Sequence, residues 1–310
     1  MRKLVSALLI GLLLVCTAFA QDGAVHTEGL FAYVLTEEGA VITAFLGADP
    51  CPEEIGVPAV IGGAPVIGFD FVFSGLPGPV SRVILAEGIP TVGNAFAECN
   101  QAAEIVLPAS LEDIPEDAFA WSRAEIILHP DNPYFSNEDG FLIDERTGTL
   151  LYTAPSAADK PLPAVRRLGD RCLTNWHPGP EVELPDTLVS IGAGVFYEWM
   201  DTYRIRIPDG VTEIGAGAFN CAGLTAIDLP AGLKEIPPLM LSCTDITGIT
   251  LPDSVTSIGS WAFYLCPLTR VEIPAGCTFV AWDTFMPEVE LVFLGDEAAL
   301  EPWGGSDGDD

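Results

Sequence analysis

The apolar positions of the chain repeat with a period of about 22 residues. In the clearest copies, two apolar residues that alternate with polar ones precede a proline. Apolar residues follow three and six positions after the proline, and a glycine and an Ala-Phe pair come next. The proline recurs at this same constant interval, at Pro208, Pro230, Pro252 and Pro274. Such a period is typical of a solenoid, in which each coil buries its apolar side chains against neighbouring coils.

The copy that begins at residue 204 shows how one coil is built. Arginine and isoleucine alternate over 204–207, which predicts a strand with the isoleucines inside and the arginines outside. Pro208 ends the strand because it has no amide hydrogen to donate. Ile214 then turns the chain back across the core, Gly215 provides a tight bend, and Phe219 fills the opposite wall. The predicted fold is a repeat solenoid with one parallel strand per coil, mostly β and irregular with short helical turns.

The repeat unit resembles that of the BspA-like leucine-rich repeats of bacterial surface and secreted proteins, L-x-x-I-x-I-P-x-x-V-x-x-I-G-x-x-A-F-x-x-C. Residues 246–266 match that unit almost position by position. The resemblance implies a leucine-rich-repeat solenoid and a binding role, since some members of the family act in adhesion to host or other cells.

The predicted organisation follows from this unit and its flanks. Strand-like runs at 31–35 and 40–44 resemble the hairpin that often begins such domains, so 21–55 is predicted to be an N-terminal β-hairpin cap. Leucine-rich repeats are expected over 56–287, interrupted at 129–160 by an inserted β-hairpin whose turn contains Gly148. Residues 288–310 are predicted to form a C-terminal cap and an acidic tail, in which 307–310 lack the spaced ligands of a calcium loop.

Residues 1–20 have the pattern of an export signal. Arg2 and Lys3 precede an apolar run over 4–15, and the small residues Ala18 and Ala20 at the cleavage positions predict cleavage before Gln21. The run is too short to span a bilayer comfortably, so no membrane span is expected. Acylation at Cys16 is a weaker alternative, because the bulky Val15 stands where lipoprotein sites carry a small residue. The predicted location is secreted or extracellular, with association at the cell surface left open.

Composition excludes several functional classes. A net charge of −31 repels nucleic acid and anionic membranes. The cysteines form no C-x-x-C pair and no zinc-like cluster with histidine, so no metal is expected. Residues 191–194 and 214–217 imitate the start of a dinucleotide fingerprint, but Tyr197 and Asn220 replace its third glycine, so no cofactor is expected. No catalytic residue is predicted, although 44 acidic residues leave a carboxylate-based hydrolase as an alternative.

Cysteines and tryptophans recur two or three residues after the aromatic or leucine of the repeat. This slot holds Cys99, Cys221, Cys243, Cys266, Trp121, Trp176 and Trp199. The cysteines are interpreted as a stack of small buried apolar residues, with disulfides or thiol chemistry as the alternative. The tryptophans are interpreted as packing residues, with ligand platforms as the alternative. An odd number of cysteines, seven, remains after the predicted cleavage, so complete internal pairing is excluded.

If packing fixes the inward positions, the outward strand positions are left for function. Ile84, Val106 and Ile127 form an apolar row there, and an exposed apolar row is where solenoids tend to contact partners. The alternative is that the inserted hairpin buries this row. Glu181 and Glu183 are expected to pair with the arginines of the neighbouring strand. The predicted partner-binding face comprises Arg82, Ile84, Glu104, Val106, Glu125, Ile127, Arg204 and Arg206.

The favoured hypothesis is therefore a non-enzymatic, monomeric binding module that recognises a protein or glycan through the outward strand face. A carboxylate-based extracellular hydrolase and a purely structural envelope protein are the alternatives.

Overall fold

The computed structural model describes residues 24–47 and 50–296. The predicted signal at 1–20 and the acidic residues at the C-terminal end lie outside this part of the chain. The described residues fall into two units, one reaching Gly140 together with Ala154–Ser156, and the other comprising Phe141–Thr153 and the residues from Ala157 onward.

The first unit begins with antiparallel strands that lead into a parallel sheet. Strands β1 (His26–Glu28), β2 (Phe31–Leu35) and β3 (Ala40–Phe45) pair in sequence order. The four-stranded parallel sheet contains β4 (Glu54–Val57), β7 (Val80–Leu85), β8 (Ala102–Leu107) and β9 (Glu125–Leu128). Strands β5 (Val60–Ile61) and β6 (Ala64–Phe69) lie between β4 and β7 in the chain and belong to the first sheet, where β6 pairs with β3 in parallel and with β5 antiparallel. Strand β10 (Phe135–Glu138) follows β9 in the chain.

Inward residues of the parallel sheet form the core of the first unit. Ile55, Val83, Ile105 and Ile126 lie side by side on successive strands and are buried. On the opposite wall, the rings of Phe73, Phe96 and Phe119 stack with centroids 5.2 and 5.7 Å apart. Apolar burial of this kind contributes about 25 cal/mol per Å² and is the main stabilising effect between coils.

The second unit opens with the hairpin β11 (Phe141–Asp144) and β12 (Thr149–Thr153), and the 3-10 helix Pro155–Ala157 comes after it in the chain. The strands of its repeats lie on two faces. One face carries β14 (Glu181–Glu183), β16 (Arg204–Arg206), β18 (Ala226–Asp228), β21 (Arg270–Ile273) and β23 (Glu290–Phe293). The other carries β13 (Arg167–Leu168), β15 (Ser190–Ile191), β17 (Glu213–Ile214), β19 (Glu235–Ile236), β20 (Ser257–Ile258) and β22 (Phe279–Val280).

The structure confirms the predicted fold class. Val182, Ile205 and Ile227 align on adjacent parallel strands, as the constant repeat spacing requires. Residues 247–250 form no strand, but Ile249 still packs against the core of the second unit. One feature was not predicted: most coils contain a second short strand, such as β17 (Glu213–Ile214), that pairs in parallel with its counterparts in neighbouring coils.

The glycine that follows this second strand serves a purpose other than the predicted tight bend. Gly215 does not have a positive φ. Instead, a Cβ at this position would overlap the backbone nitrogen of Ala193 and lie 2.5 Å from the carbonyl carbon of Gly192. The repeat therefore requires glycine because the backbones of two coils approach each other closely here.

A further set of hydrogen bonds connects the turns around the aromatic position. The amides of Gly217, Phe219 and Cys221 donate to carbonyls of the next coil at 2.9, 3.0 and 2.8 Å. Gly217 and Cys221 have φ values of 60° and 57°. A left-handed conformation costs roughly 1–2 kcal/mol in a residue other than glycine. We attribute its tolerance at Cys221 to the hydrogen bond that the same residue donates to the next coil.

Candidate recognition face

The outward side of the four-stranded sheet in the first unit carries an apolar row, consisting of Ile84, Val106 and Ile127. The strand register places Ile84 opposite Val106 and Val106 opposite Ile127. Gly56 of β4 is paired with Ile84 and occupies the next position of the apolar row, but it contributes no side chain. Because alternate strand residues face opposite sides, these three side chains point away from the core. Ile84 and Val106 are half-buried, and Ile127 is 45% exposed.

A charged row lies beside it, formed by Glu54, Arg82, Glu104 and Glu125. Arg82 Nε donates to Glu104 Oε2 at 2.6 Å. The carboxylate of Glu125 accepts hydrogen bonds from the amide and the hydroxyl of Ser156, at 2.8 and 2.7 Å. Exposed ion pairs of this kind contribute at most about 1 kcal/mol to stability. Their main effect here is to hold the charged side chains in place beside the apolar row.

At Ile127 the apolar row is not buried, since 45% of that residue is exposed. The C-terminal end of the insertion instead contacts the charged row, through the bonds from Ser156 to Glu125. The side-chain amide of Asn137, on β10, donates to the backbone carbonyl of Ile126.

The eight predicted face residues do not all lie on one sheet. Six belong to β7, β8 and β9 in the first unit, whereas Arg204 and Arg206 belong to β16 in the second. The register places Glu181 beside Arg204 and Glu183 beside Arg206, as expected. However, the ion pair of Arg204 is formed with Asp228 on the other neighbouring strand, at 3.0 Å. The apolar row and the charged row are therefore the local site that the structure brings together.

Among the carboxyl groups of the described residues, those of Glu87 and Asp144 have shifted pKa values, and both shifts are downward. Hydrogen bonding from the Ala109 amide lowers the pKa of Glu87. Burial acts to raise the pKa of Asp144, but hydrogen bonds from Arg146 outweigh it and the pKa is lowered. A general acid in glycoside hydrolysis needs a raised pKa, so neither group is suited to that role. Among residues 24–47 and 50–296, no three histidine, cysteine or acidic side chains are grouped as metal ligands.

The slot that follows the aromatic position divides into two environments. The third residue after it is buried, as at Cys99, Cys266, Trp176 and Trp199, and there the predicted packing role holds. The second residue after it is left-handed and lies at the surface: Trp121 is 39% exposed, Cys243 is exposed and Cys221 is half-buried. The interpretation of these last three as buried packing residues was wrong. A shift of one position along the turn moves the side chain from the core side to the solvent side.

The same turns display large apolar side chains that the sequence analysis missed. Trp261, Tyr264, Leu265 and Trp282 are 41–64% exposed. Two of them lie two residues before and after Phe263, which are the left-handed positions. Knowledge of the left-handed positions, rather than of hydrophobicity alone, would have identified Trp261 and Leu265 as surface residues.

No helix within residues 24–47 and 50–296 has the length and hydrophobicity of a membrane span. A family model described as a BspA type leucine rich repeat region matches in six copies, over residues 70–141 and 166–291. These segments cover more than half of the chain. A comparison with curated proteins found no match.

Similar solved structures come from several bacteria. A leucine-rich repeat protein from Eubacterium ventriosum is 17% identical, with 83% of this chain and 93% of that chain aligned and a TM-score of 0.49. A leucine rich cell surface protein from Faecalibacterium prausnitzii is 18% identical, with coverages of 89% and 96% and a TM-score of 0.43. The pneumococcal vaccine antigen PcpA is 13% identical, with coverages of 87% and 98% and a TM-score of 0.41.

Proposed function

The chain belongs to the BspA-type leucine-rich repeat family, and on that premise we propose that it is a non-enzymatic binding protein that recognises a protein partner through the apolar row. The observation that carries this proposal is the alignment of three β-branched side chains on the outward side of adjacent strands, with Ile127 45% exposed. Outward strand positions of a solenoid contribute little to its core. An apolar row kept there is explained by contact with a partner.

The chemistry of the face favours a protein over a glycan. Fully burying one isoleucine side chain in a partner would contribute roughly 1.5–3 kcal/mol. The adjoining Arg82 and Glu104 offer both signs of charge at the rim, which suits peptide groups and charged side chains. Aromatic platforms, which stack against sugar rings, are absent from the outward positions of β7, β8 and β9.

Export places such a face where a partner outside the cytoplasm can reach it. We propose a secreted or cell-surface location on the basis of the signal pattern at 1–20. Chain recovered from the culture medium should begin at Gln21 in N-terminal sequencing, whereas a chain retained inside the cell with Met1 intact would contradict export.

Replacing Ile127 with aspartate is expected to weaken capture of the partner by roughly tenfold or more, because a carboxylate would be buried against an apolar surface. Ile84→Asp should have the same effect at the neighbouring position of the row. Capture from surface extracts and matrix extracts is measured by quantitative mass spectrometry for each variant, alongside the thermal midpoint.

Val60→Asp is the matched control. Val60 is a β-branched residue of the same unit, 56% exposed, and lies on β5 rather than on the proposed face. The proposal is supported if the unmodified chain and Val60→Asp capture a protein that Ile127→Asp does not, while the thermal midpoint of Ile127→Asp is unchanged. Equal capture by all three chains would refute the site. Two results would refute the proposed function. One is binding to a glycan array that is unchanged in Ile127→Asp, and the other is glycan cleavage that a single Asp or Glu substitution abolishes.

A further inference from the structure

Two cysteines of the second unit occupy the same position in adjacent coils. Cys221 and Cys243 are one repeat apart, each two residues after the aromatic or leucine of its coil. Both have a left-handed backbone, with φ values of 57° and 60°. Cys221 donates its amide to Ser242 at 2.8 Å, and Cys243 donates to Tyr264 at 2.7 Å, so the two turns run side by side. We call these two residues the thiol pair.

The spacing of the coils suits a bond between these sulfurs. Adjacent parallel segments lie about 4.8 Å apart. A disulfide requires a Cα separation of roughly 4.4–6.8 Å. Burial is the largest cause that raises the pKa of Cys221 to about 11, and the neighbouring Cys243 thiol adds to the rise.

The thiol pair differs from the other cysteines in accessibility. Cys243 is exposed and Cys221 is half-buried, whereas Cys99, Cys172, Cys266 and Cys277 are buried. A small disulfide in solution can reach the exposed Cys243 thiol, whereas burial shields the thiols of these four cysteines from it. Cys51, in the first unit, is half-buried and has no cysteine at the equivalent position of an adjacent coil.

We propose that the thiol pair is a thiol–disulfide exchange site, which reacts with a small-molecule disulfide to form a Cys221–Cys243 bond between coils. In the first step, the exposed Cys243 thiolate attacks one sulfur of the small disulfide, whose S–S bond breaks and releases one thiol. In the second, Cys221 loses its proton to solvent and attacks the Cys243 sulfur, which releases the second thiol. Two protein thiols are oxidised to one disulfide, and one small disulfide is reduced to two thiols.

Cys266 is the competing partner for Cys243, and its environment disfavours it. Its sulfur lies 3.3 Å from the hydroxyl of Thr244 and donates to the carbonyl of Leu241 at 2.9 Å. The residue is only 4% exposed. To reach Cys243 it would have to leave the core and give up both contacts, whereas Cys221 is already at the surface.

Trypsin separates these possibilities. Cleavage after Arg206, Lys234 and Arg270 places Cys221 alone in peptide 207–234, and places Cys243 and Cys266 together in peptide 235–270. The folded chain is treated with oxidised glutathione, quenched with N-ethylmaleimide and digested without reduction. We expect the two peptides to be joined, with a mass lower than their sum by two hydrogen atoms, in the unmodified chain and in Cys266→Ser.

The variant Cys221→Ser provides two further readouts, the mixed disulfide that it retains and the thermal midpoint after oxidation. In Cys221→Ser, the exposed Cys243 should instead retain glutathione as a stable mixed disulfide. The thermal midpoint of the oxidised unmodified chain should rise by several degrees, an increase that Cys221→Ser abolishes.

Three results would overturn the proposal. A disulfide within peptide 235–270 would show that Cys243 pairs with Cys266. Separate glutathione adducts on Cys221 and Cys243 would show that the thiols are too far apart to exchange. A thiol pair left reduced, under conditions in which Cys51 is fully modified, would show that it is not an exchange site.

Discussion

Gly215→Ala is expected to lower the free energy of unfolding by about 1–3 kcal/mol or more, the range for overpacking a closely packed interior. The new methyl group would overlap the Ala193 backbone nitrogen of the preceding coil. Backbone atoms cannot rotate away as a flexible side chain can, so the two coils would have to separate. Separation would weaken the parallel pairing of Ile191 with Ile214 and the hydrogen bond from the Gly215 amide to Ile191. Urea denaturation followed by circular dichroism measures the loss.

Gly248→Ala is the matched control for this prediction. Gly248 also has no positive φ, and a Cβ there would have no heavy atom within 4 Å. Alanine should therefore be neutral, or should stabilise by about 0.4–1 kcal/mol through its smaller unfolded-state entropy. If the two alanine variants had the same denaturation midpoint, the close approach at Gly215 would not exist in solution.

Phe219→Ala is expected to destabilise the second unit by about 3–5 kcal/mol, the typical loss for truncating a buried phenylalanine. Phe219 is fully buried, and its ring lies 5.0 Å from that of Phe196 with an angle of 3° between the planes. Removal of the ring leaves a cavity between coils that the hydrogen-bonded turns on both sides prevent from closing. Thermal and urea denaturation should both show the loss.

Tyr203→Ala is the control for removing an aromatic ring, because Tyr203 is 52% exposed in the same unit. Its substitution should change stability by no more than about 0.5 kcal/mol. Phe219→Leu should fall between the two. A Phe219→Ala variant as stable as Tyr203→Ala would mean that the aromatic position does not form the far wall of the core.

The stacking of the coils was predictable because one spacing determines it. With the repeat prolines at a constant interval, Ile205 and Ile227 must be neighbours once the strands pair in parallel, and they are. The second strand of each coil was not predictable in the same way. A pair such as Glu213–Ile214 is too short for a period of two to be recognised.

Positions near the left-handed turns were the hardest to assign. Cys221 and Cys266 are both small apolar residues close to a phenylalanine, two and three positions after it. Only the backbone shows that the first lies at the surface and the second in the core. Hydrophobicity carries no information about this difference in burial, because the difference is set by the backbone angle φ at the turn.

The candidate site shows the same division between what spacing determines and what it does not. Alternation along β7, β8 and β9 identified the outward apolar row, and the strand register aligned it. The partner of Arg204 could not be predicted, because carboxylates are available on the strands on both sides of it. The observed ion pair is formed with Asp228 and not with Glu181.

Disulfide trapping across the strands of the second unit tests the central claim, that coils stack in parallel with a register of one repeat per coil. In a chain with serine at 51, 221 and 243, Arg204→Cys and Ala226→Cys should form a disulfide rapidly, because these outward residues are directly paired. The pair Arg204→Cys and Gly248→Cys should stay reduced. Residue 248 lies one coil beyond residue 226, so the two cysteines would be about twice the strand spacing apart. Failure of the first pair to close, or equal closure of both, would contradict the stacked architecture.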